Sequence, residues 1–153
     1  MTDMRHSDVD EDGGRLADRA FWEPHASPQS VWTMVALYPL LVLTLYCRSR
    51  RLLVAVLVAV VLSLRLVSPP ETDTAWATRV VRGEQVWLDR GLWSEPGALC
   101  LTAISGLVHL GTFKSALNQQ RGRTTFGTIL SMGLMGLFFH RMVRIYEAHS
   151  DRG

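Results

Sequence analysis

Four long stretches without Asp, Glu, Lys or Arg divide the chain, over residues 24–47, 52–64, 96–113 and 124–140. A helix of about 20 apolar residues is as long as the hydrocarbon core of a bilayer is thick, about 30 Å. A chain of 153 residues has too little interior to bury four such stretches. The pattern therefore predicts an all-α integral membrane bundle with four transmembrane helices, over about 28–47, 52–68, 96–117 and 124–146.

Local signals predict where the first pair of spans begins and ends. Ser27 and Pro28 are typical of a helix N-terminus, since serine caps and proline suits the first helical position. Only four residues, 48–51, separate the first two spans, so we expect them to form an antiparallel hairpin. Ser68-Pro69-Pro70 then ends the second span.

The segment between the second and third spans has the pattern of an amphipathic helix, over about 73–90 and capped by Asp73. Trp76 and Trp87 fall on an apolar face, whereas charged residues take many of the other positions. The segment is too polar to cross a membrane. We predict that it lies at the interface with its tryptophans toward the lipid; a soluble cap packed over the bundle is the alternative.

Small residues recur in the third and fourth spans. They are Thr102, Gly106 and Gly111 in the third, and Gly127, Ser131, Gly133 and Gly136 in the fourth. Small side chains let helix backbones approach closely in lipid. The sequence therefore predicts that these two spans pack against each other.

Charge adds an orientation to this picture. The connections 48–51 and 114–123 hold six basic residues and no acid, which favours the cytoplasmic side for both and places both termini outside. The net charge of +2 is too small to indicate a nucleic-acid partner. The domain is expected over 19–149, between an acidic, disordered tail at 1–18 and a short tail at 150–153.

Three stretches carry a resemblance to a known family: Phe21–Thr33 (FWEPHASPQSVWT), Tyr38–Leu41 (YPLL) and Ala75–Leu88 (AWATRVVRGEQVWL). Together they resemble an uncharacterised family of small integral membrane proteins that is common in haloarchaea. The resemblance covers most of the chain after residue 20. It implies a small membrane protein and supplies no activity, ligand or cofactor.

Candidate functional residues cluster before the first span and along the amphipathic helix. A lipid headgroup or another anion is the expected ligand, with Glu84 orienting an arginine. The alternative to a binding site is a solvated face with weak ion pairs and a belt of interfacial tryptophans. The candidates are Trp22, His25, Trp76, Arg79, Arg82, Glu84 and Trp87.

His109 is the candidate polar site inside the membrane, because an imidazole well inside a span must find a partner. The favoured interpretation is a hydrogen bond to a serine, a threonine or a backbone carbonyl of a neighbouring helix. A haem or metal site with His140, or a proton relay, are the alternatives. The two histidines should differ in depth by about 12 Å, which argues against a shared haem.

The sequence carries none of the common catalytic motifs, and no span holds an acidic residue. We therefore predict no catalytic residue, no metal and no cofactor. The favoured function is that of a structural, accessory or lipid-interacting membrane protein, in contact with membrane lipids and in a homo-oligomer or a larger membrane complex. The alternatives are an oligomeric small-solute carrier or channel using His109, and a lipid-modifying enzyme built on His25, Arg79 and Glu84.

Overall fold

The computed structural model describes residue 22 and residues 26–66 and 74–151, with the backbone only for 64–66. All regular structure in these ranges is helical. The helices are α1 (Pro28–Tyr46), α2 (Arg50–Leu66), α3 (Trp76–Asp89), a 3-10 turn at Leu92–Ser94, α4 (Pro96–Leu117) and α5 (Arg121–Ser150). The predicted acidic tail, the Asp73 cap and the 68–70 stop lie outside the described residues.

The predicted helix bounds agree with these elements to within a few residues, and the differences occur at the helix ends. Ser27 stands at the N-cap of α1 as predicted, but its side chain makes no capping bond. The N-cap of α3 is Ala75, so this helix begins at Trp76 rather than near Thr74. The last helix starts at Arg121 and continues through Ser150, seven residues longer in total than the predicted span.

Three of the helices, α1, α4 and α5, are long and apolar enough to cross a membrane. Few of their residues are buried inside the protein. Leu107 is 71 % exposed, Phe126 is 68 % exposed and Leu110 is 66 % exposed. Because such surfaces are unfavourable in water, they are consistent with a membrane protein. The fourth apolar helix, α2, has 17 residues, so the predicted count of four spans stays a prediction.

The antiparallel pair α4 and α5 packs closely near the connection that joins the two helices. A Cβ atom on Gly127 would collide with the hydroxyl of Thr112, and the Thr112 and Ser131 hydroxyls lie 3.5 Å apart. The predicted packing of these spans is therefore confirmed. Four of the predicted small residues do not take part, because open space lies where their Cβ atoms would be; they are Gly106, Gly111, Gly133 and Gly136.

The amphipathic helix α3 packs closely on the C-terminal part of α5. A Cβ atom on Gly83 would fall on the carbonyl oxygen of Met142, so only a glycine fits at this crossing. A buried cluster surrounds the crossing, formed by Val80, Trp87, Ala98, Met142, Val143 and Ile145. Although α3 is too polar to span a membrane, the side chains at this crossing are therefore apolar.

The two short connections meet at one end of the bundle, as the hairpin prediction requires. Arg48 donates from Nη2 to the carbonyl oxygen of Leu117 at 2.8 Å, and Gln119 donates from Nε2 to the carbonyl oxygen of Tyr46 at 3.3 Å. Each side chain thus binds a free carbonyl at the C-terminus of the other hairpin's first helix. Arg48 and Gln119 have φ angles of 51° and 53°, the left-handed conformation in which helices commonly end.

Candidate functional site

Aromatic side chains pack α3 against the first part of α1 and the second half of α5. Trp76 stacks on Trp32 with ring centroids 5.8 Å apart and meets Phe139 edge-on at 6.1 Å. Trp87 is 3 % exposed, packs edge-on against Phe138, and donates from Nε1 to the carbonyl oxygen of Leu92 at 3.2 Å. The predicted contact of Trp87 with lipid is therefore wrong, because α5 covers the ring.

The three charged candidates on α3 do not converge on one ligand. Arg79 forms an ion pair with Glu147 of α5 at 2.8 Å, and Arg82 donates to the side-chain oxygen of Gln85 at 3.3 Å. Glu84 lies apart from the Arg79–Glu147 pair, in a cavity on the other side of the helix. The predicted arrangement had Glu84 orienting an arginine; in the part of the chain that the structure describes, Arg79 pairs with Glu147 instead.

Trp22, one of the two candidates that precede α1, lies beside the start of α3. Trp22 is half-buried and packs against a small apolar cluster of Ala26, Val31, Ala77 and Val81. His25 lies outside the described residues. Trp22 and Ala26 thus lie at the same end of the bundle as α3, as the topology of the sequence prediction requires.

A cavity of about 240 Å³ lies between α1, α3 and α5, and Glu84 lines it. Its walls are mainly apolar, with Met34, Val35 and Phe139 among them. Burial raises the pKa of Glu84 above its usual value of 4.5. Ser30 also lines the cavity; it is 1 % exposed, and its hydroxyl has no partner among the described residues. We name this space the Glu84 cavity.

A second concavity, of about 460 Å³, lies between α1 and α5 at the end where the short connections meet. Apolar side chains such as Leu43 and Ile129 form most of it, together with a row of threonines at 124, 125 and 128. Arg121 and Tyr46 stand at its end, and Arg121 donates from Nε to the Tyr46 hydroxyl at 3.1 Å. We name this space the Arg121 groove.

The sequence prediction missed the Arg121 groove, although a signal for it exists. Arg121 precedes the fourth apolar stretch by three residues, and Thr124, Thr125 and Thr128 fall close together on a helix. The sequence does not reveal which helix packs beside this face of α5. Only the packing of α1 on α5 brings Pro39 and Tyr46 opposite this face.

His109 bonds within its own helix. Its Nδ1 donates to the carbonyl oxygen of Ser105, one turn earlier, and its ring meets Tyr38 of α1 edge-on with centroids 4.8 Å apart. The expected hydrogen bond to a neighbouring helix is therefore absent among the described residues, and the His109 ring contacts α1 only through Tyr38. His109 lines neither the Glu84 cavity nor the Arg121 groove.

The fold and these two spaces define a class. Over the described residues the protein is all-helical, with three helices able to cross a membrane and with concave surfaces at both ends of the bundle. A family model, described as a family of unknown function (DUF6653), matches residues 15–150. The chain belongs to this family. No curated protein and no solved structure gives a match. The haloarchaeal distribution that the resemblance implies stays a prediction.

Proposed function

We propose that the chain is a four-span protein of the cell membrane and that it binds an anionic membrane lipid in the Arg121 groove. The fourth span is α2, whose 17 residues reach about 26 Å and leave Arg50 and Arg51 at the membrane surface. The protein would then act as a lipid-interacting accessory component. The observation that carries the proposal is a cationic side chain at the end of an apolar groove.

The distribution of charge supports the orientation in which both termini are outside. Arg48, Arg50, Arg51, Lys114, Arg121 and Arg123 lie on or beside the two connections that meet at one end. The acidic residues of the described part lie at the opposite end. They are Glu84 and Asp89 on α3, Glu95 before α4, and Glu147 and Asp151 at the end of α5. A basic end without acids favours the cytoplasm.

The contacts of α3 support an interfacial position for this helix. Its two tryptophans meet α5 at Phe138 and Phe139, whereas Arg79 and Arg90 bond Glu147 and His149, farther toward the end of α5. The helix therefore crosses α5 with its aromatic side toward the apolar part. A bilayer core of about 30 Å that begins at Arg121 ends near Arg141, beside this crossing.

The chemistry of the Arg121 groove suits a lipid with a phosphate group. In the proposed orientation, Leu43 and Ile129 face the hydrocarbon core and can contact an acyl chain, while Arg121 stands at the headgroup level. Arg121 uses only its Nε to donate to the Tyr46 hydroxyl. Its two terminal amino groups can therefore donate to phosphate oxygens.

The experiment compares the lipids that remain bound to purified protein. We expect native mass spectrometry, from mixed phosphatidylglycerol and phosphatidylcholine micelles, to show retained phosphatidylglycerol on the wild type. The Arg121→Gln variant should lose most of it, at least fivefold. Arg123→Gln is the matched control, because Arg123 lies two residues away, donates to Gln120 and does not line the groove.

Equal loss of phosphatidylglycerol in both variants would show a general attraction of the basic end and would contradict the groove. Retention of phosphatidylcholine at the same level as phosphatidylglycerol would contradict the anionic character of the ligand.

A further inference from the structure

The Glu84 cavity holds two polar groups in an apolar space. The carboxyl group of Glu84 forms no hydrogen bond or ion pair with any residue that the structure describes, and the buried Ser30 hydroxyl has no partner there either. A buried hydroxyl left unpaired destabilises a fold, and apolar surroundings disfavour an ionised carboxyl group. Polar groups that bind a ligand are often left unpaired when the ligand is absent, at a cost to the stability of the fold.

The charge and shape of the space restrict the ligand. A carboxylate in an apolar pocket favours a cation, and the ring of Phe139 in the wall favours one too, through its π-face. A cavity of about 150 Å³ accepts benzene, so one of about 240 Å³ accepts a somewhat larger body. Ser30 can accept a further hydrogen bond from a ligand with several donors.

We propose that the Glu84 cavity binds an ammonium group carried on an apolar body, with Glu84 as its counter-ion and Ser30 as a hydrogen-bond acceptor. Met34, Val35 and Phe139 contact the apolar body. This site lies at the end of the bundle opposite the Arg121 groove and takes a ligand of opposite charge. It is therefore independent of the lipid proposed above.

The probe is benzylammonium, titrated into the full chain in phosphatidylcholine nanodiscs and followed by thermal unfolding and tryptophan fluorescence. Trp76 contacts Phe139 in the cavity wall and should report occupancy. We expect saturable stabilisation of the wild type. Glu84→Gln should weaken binding at least tenfold, and Ser30→Ala should weaken it a few fold. Asp89→Asn, an exposed carboxylate on the same helix, should leave binding unchanged.

Benzyl alcohol is the matched neutral probe. If it stabilises the wild type as well as benzylammonium does, or if Glu84→Gln binds benzylammonium as tightly as the wild type, the proposal is overturned. Arg121→Gln should not change benzylammonium binding, and Glu84→Gln should not change lipid retention. Each proposal can therefore fail without the other.

The bilayer and the aqueous phase could both supply such an amine. Replacing part of the phosphatidylcholine with phosphatidylethanolamine separates the two sources. Competition between this lipid and benzylammonium would identify a lipid headgroup as the ligand, and unchanged affinity would identify a soluble amine. Both results support the ammonium site and differ only in its source.

Discussion

Single residues in this protein are explained by the groups that face them rather than by their type. Arg79 and Glu84 are five positions apart on α3, yet Arg79 pairs with Glu147 across the helix contact while Glu84 enters an apolar cavity. His109, predicted to need a neighbouring helix, satisfies its ring on Ser105 of its own helix. The residue types indicated that these groups need partners, and the fold decided whether each group finds one and where.

Replacing Glu84 should stabilise the protein at neutral pH. Burial raises the pKa of this carboxyl group above 4.5, so the fold disfavours its ionised form. The resulting loss of stability is absent below the unfolded pKa, where both states are protonated, and grows as the pH rises toward and through the folded pKa. The melting temperature of Glu84→Gln in ligand-free nanodiscs should therefore exceed that of the wild type by a margin that widens from pH 4 to pH 8.

Asp89→Asn serves as the control for this pH series, because Asp89 is exposed on the same helix. Its melting temperature should follow the wild type at every pH. A pH-independent difference between Glu84→Gln and the wild type would contradict the assigned cause.

At the scale of the elements, the close helix contacts depend on two glycines. Gly83 lets α3 touch the backbone of α5 at Met142, and Gly127 lets α5 touch Thr112 of α4. The small residues of the third and fourth spans correctly predicted a contact, since the pattern is typical of packed membrane helices. The pattern alone does not distinguish Gly127, which lies at the contact, from Gly106 and Gly133, which face open space.

Alanine substitutions should separate the two kinds of glycine. Gly83→Ala places a methyl group on a backbone carbonyl that cannot rotate away, so we expect a loss of about 1–3 kcal/mol in unfolding free energy. Gly133→Ala meets no atom within 4 Å and should leave stability unchanged or raise it by up to about 1 kcal/mol. Thermal or denaturant unfolding in one detergent compares them, and equal stabilities would contradict the close crossing.

At the scale of the whole molecule, the arrangement of the helices separates two ends of different charge. Reciprocal bonds between Arg48 and Leu117 and between Gln119 and Tyr46 hold the basic connections together. Ion pairs connect the opposite end instead, with Arg79 bound to Glu147 and Arg141 bound to Glu95 at 2.7 Å. This asymmetry is the physical basis of the proposed orientation.

Single-cysteine variants should report that orientation. Cys47, which follows α1, is exposed and free, so Cys100→Ser leaves a reporter at the basic end. Ser94→Cys, on a background with both native cysteines replaced by serine, reports the other end, where Ser94 is exposed. A membrane-impermeant maleimide should label the first protein in inverted vesicles and the second in right-side-out vesicles. Labelling of both on the same side would contradict the four-span topology.

The sequence by itself determined the helices and their order, because runs of apolar residues, a serine–proline start and short basic connections are local properties of the chain. It also predicted the two basic connections at one end, because each of them follows an odd-numbered span of the predicted four. The tertiary structure alone decided that Trp87 is covered by Phe138, that Glu84 and Ser30 share a cavity, and that Arg121 ends a groove. These features depend on which faces of separate helices meet, and the periodicity of one helix carries no information about the face of another.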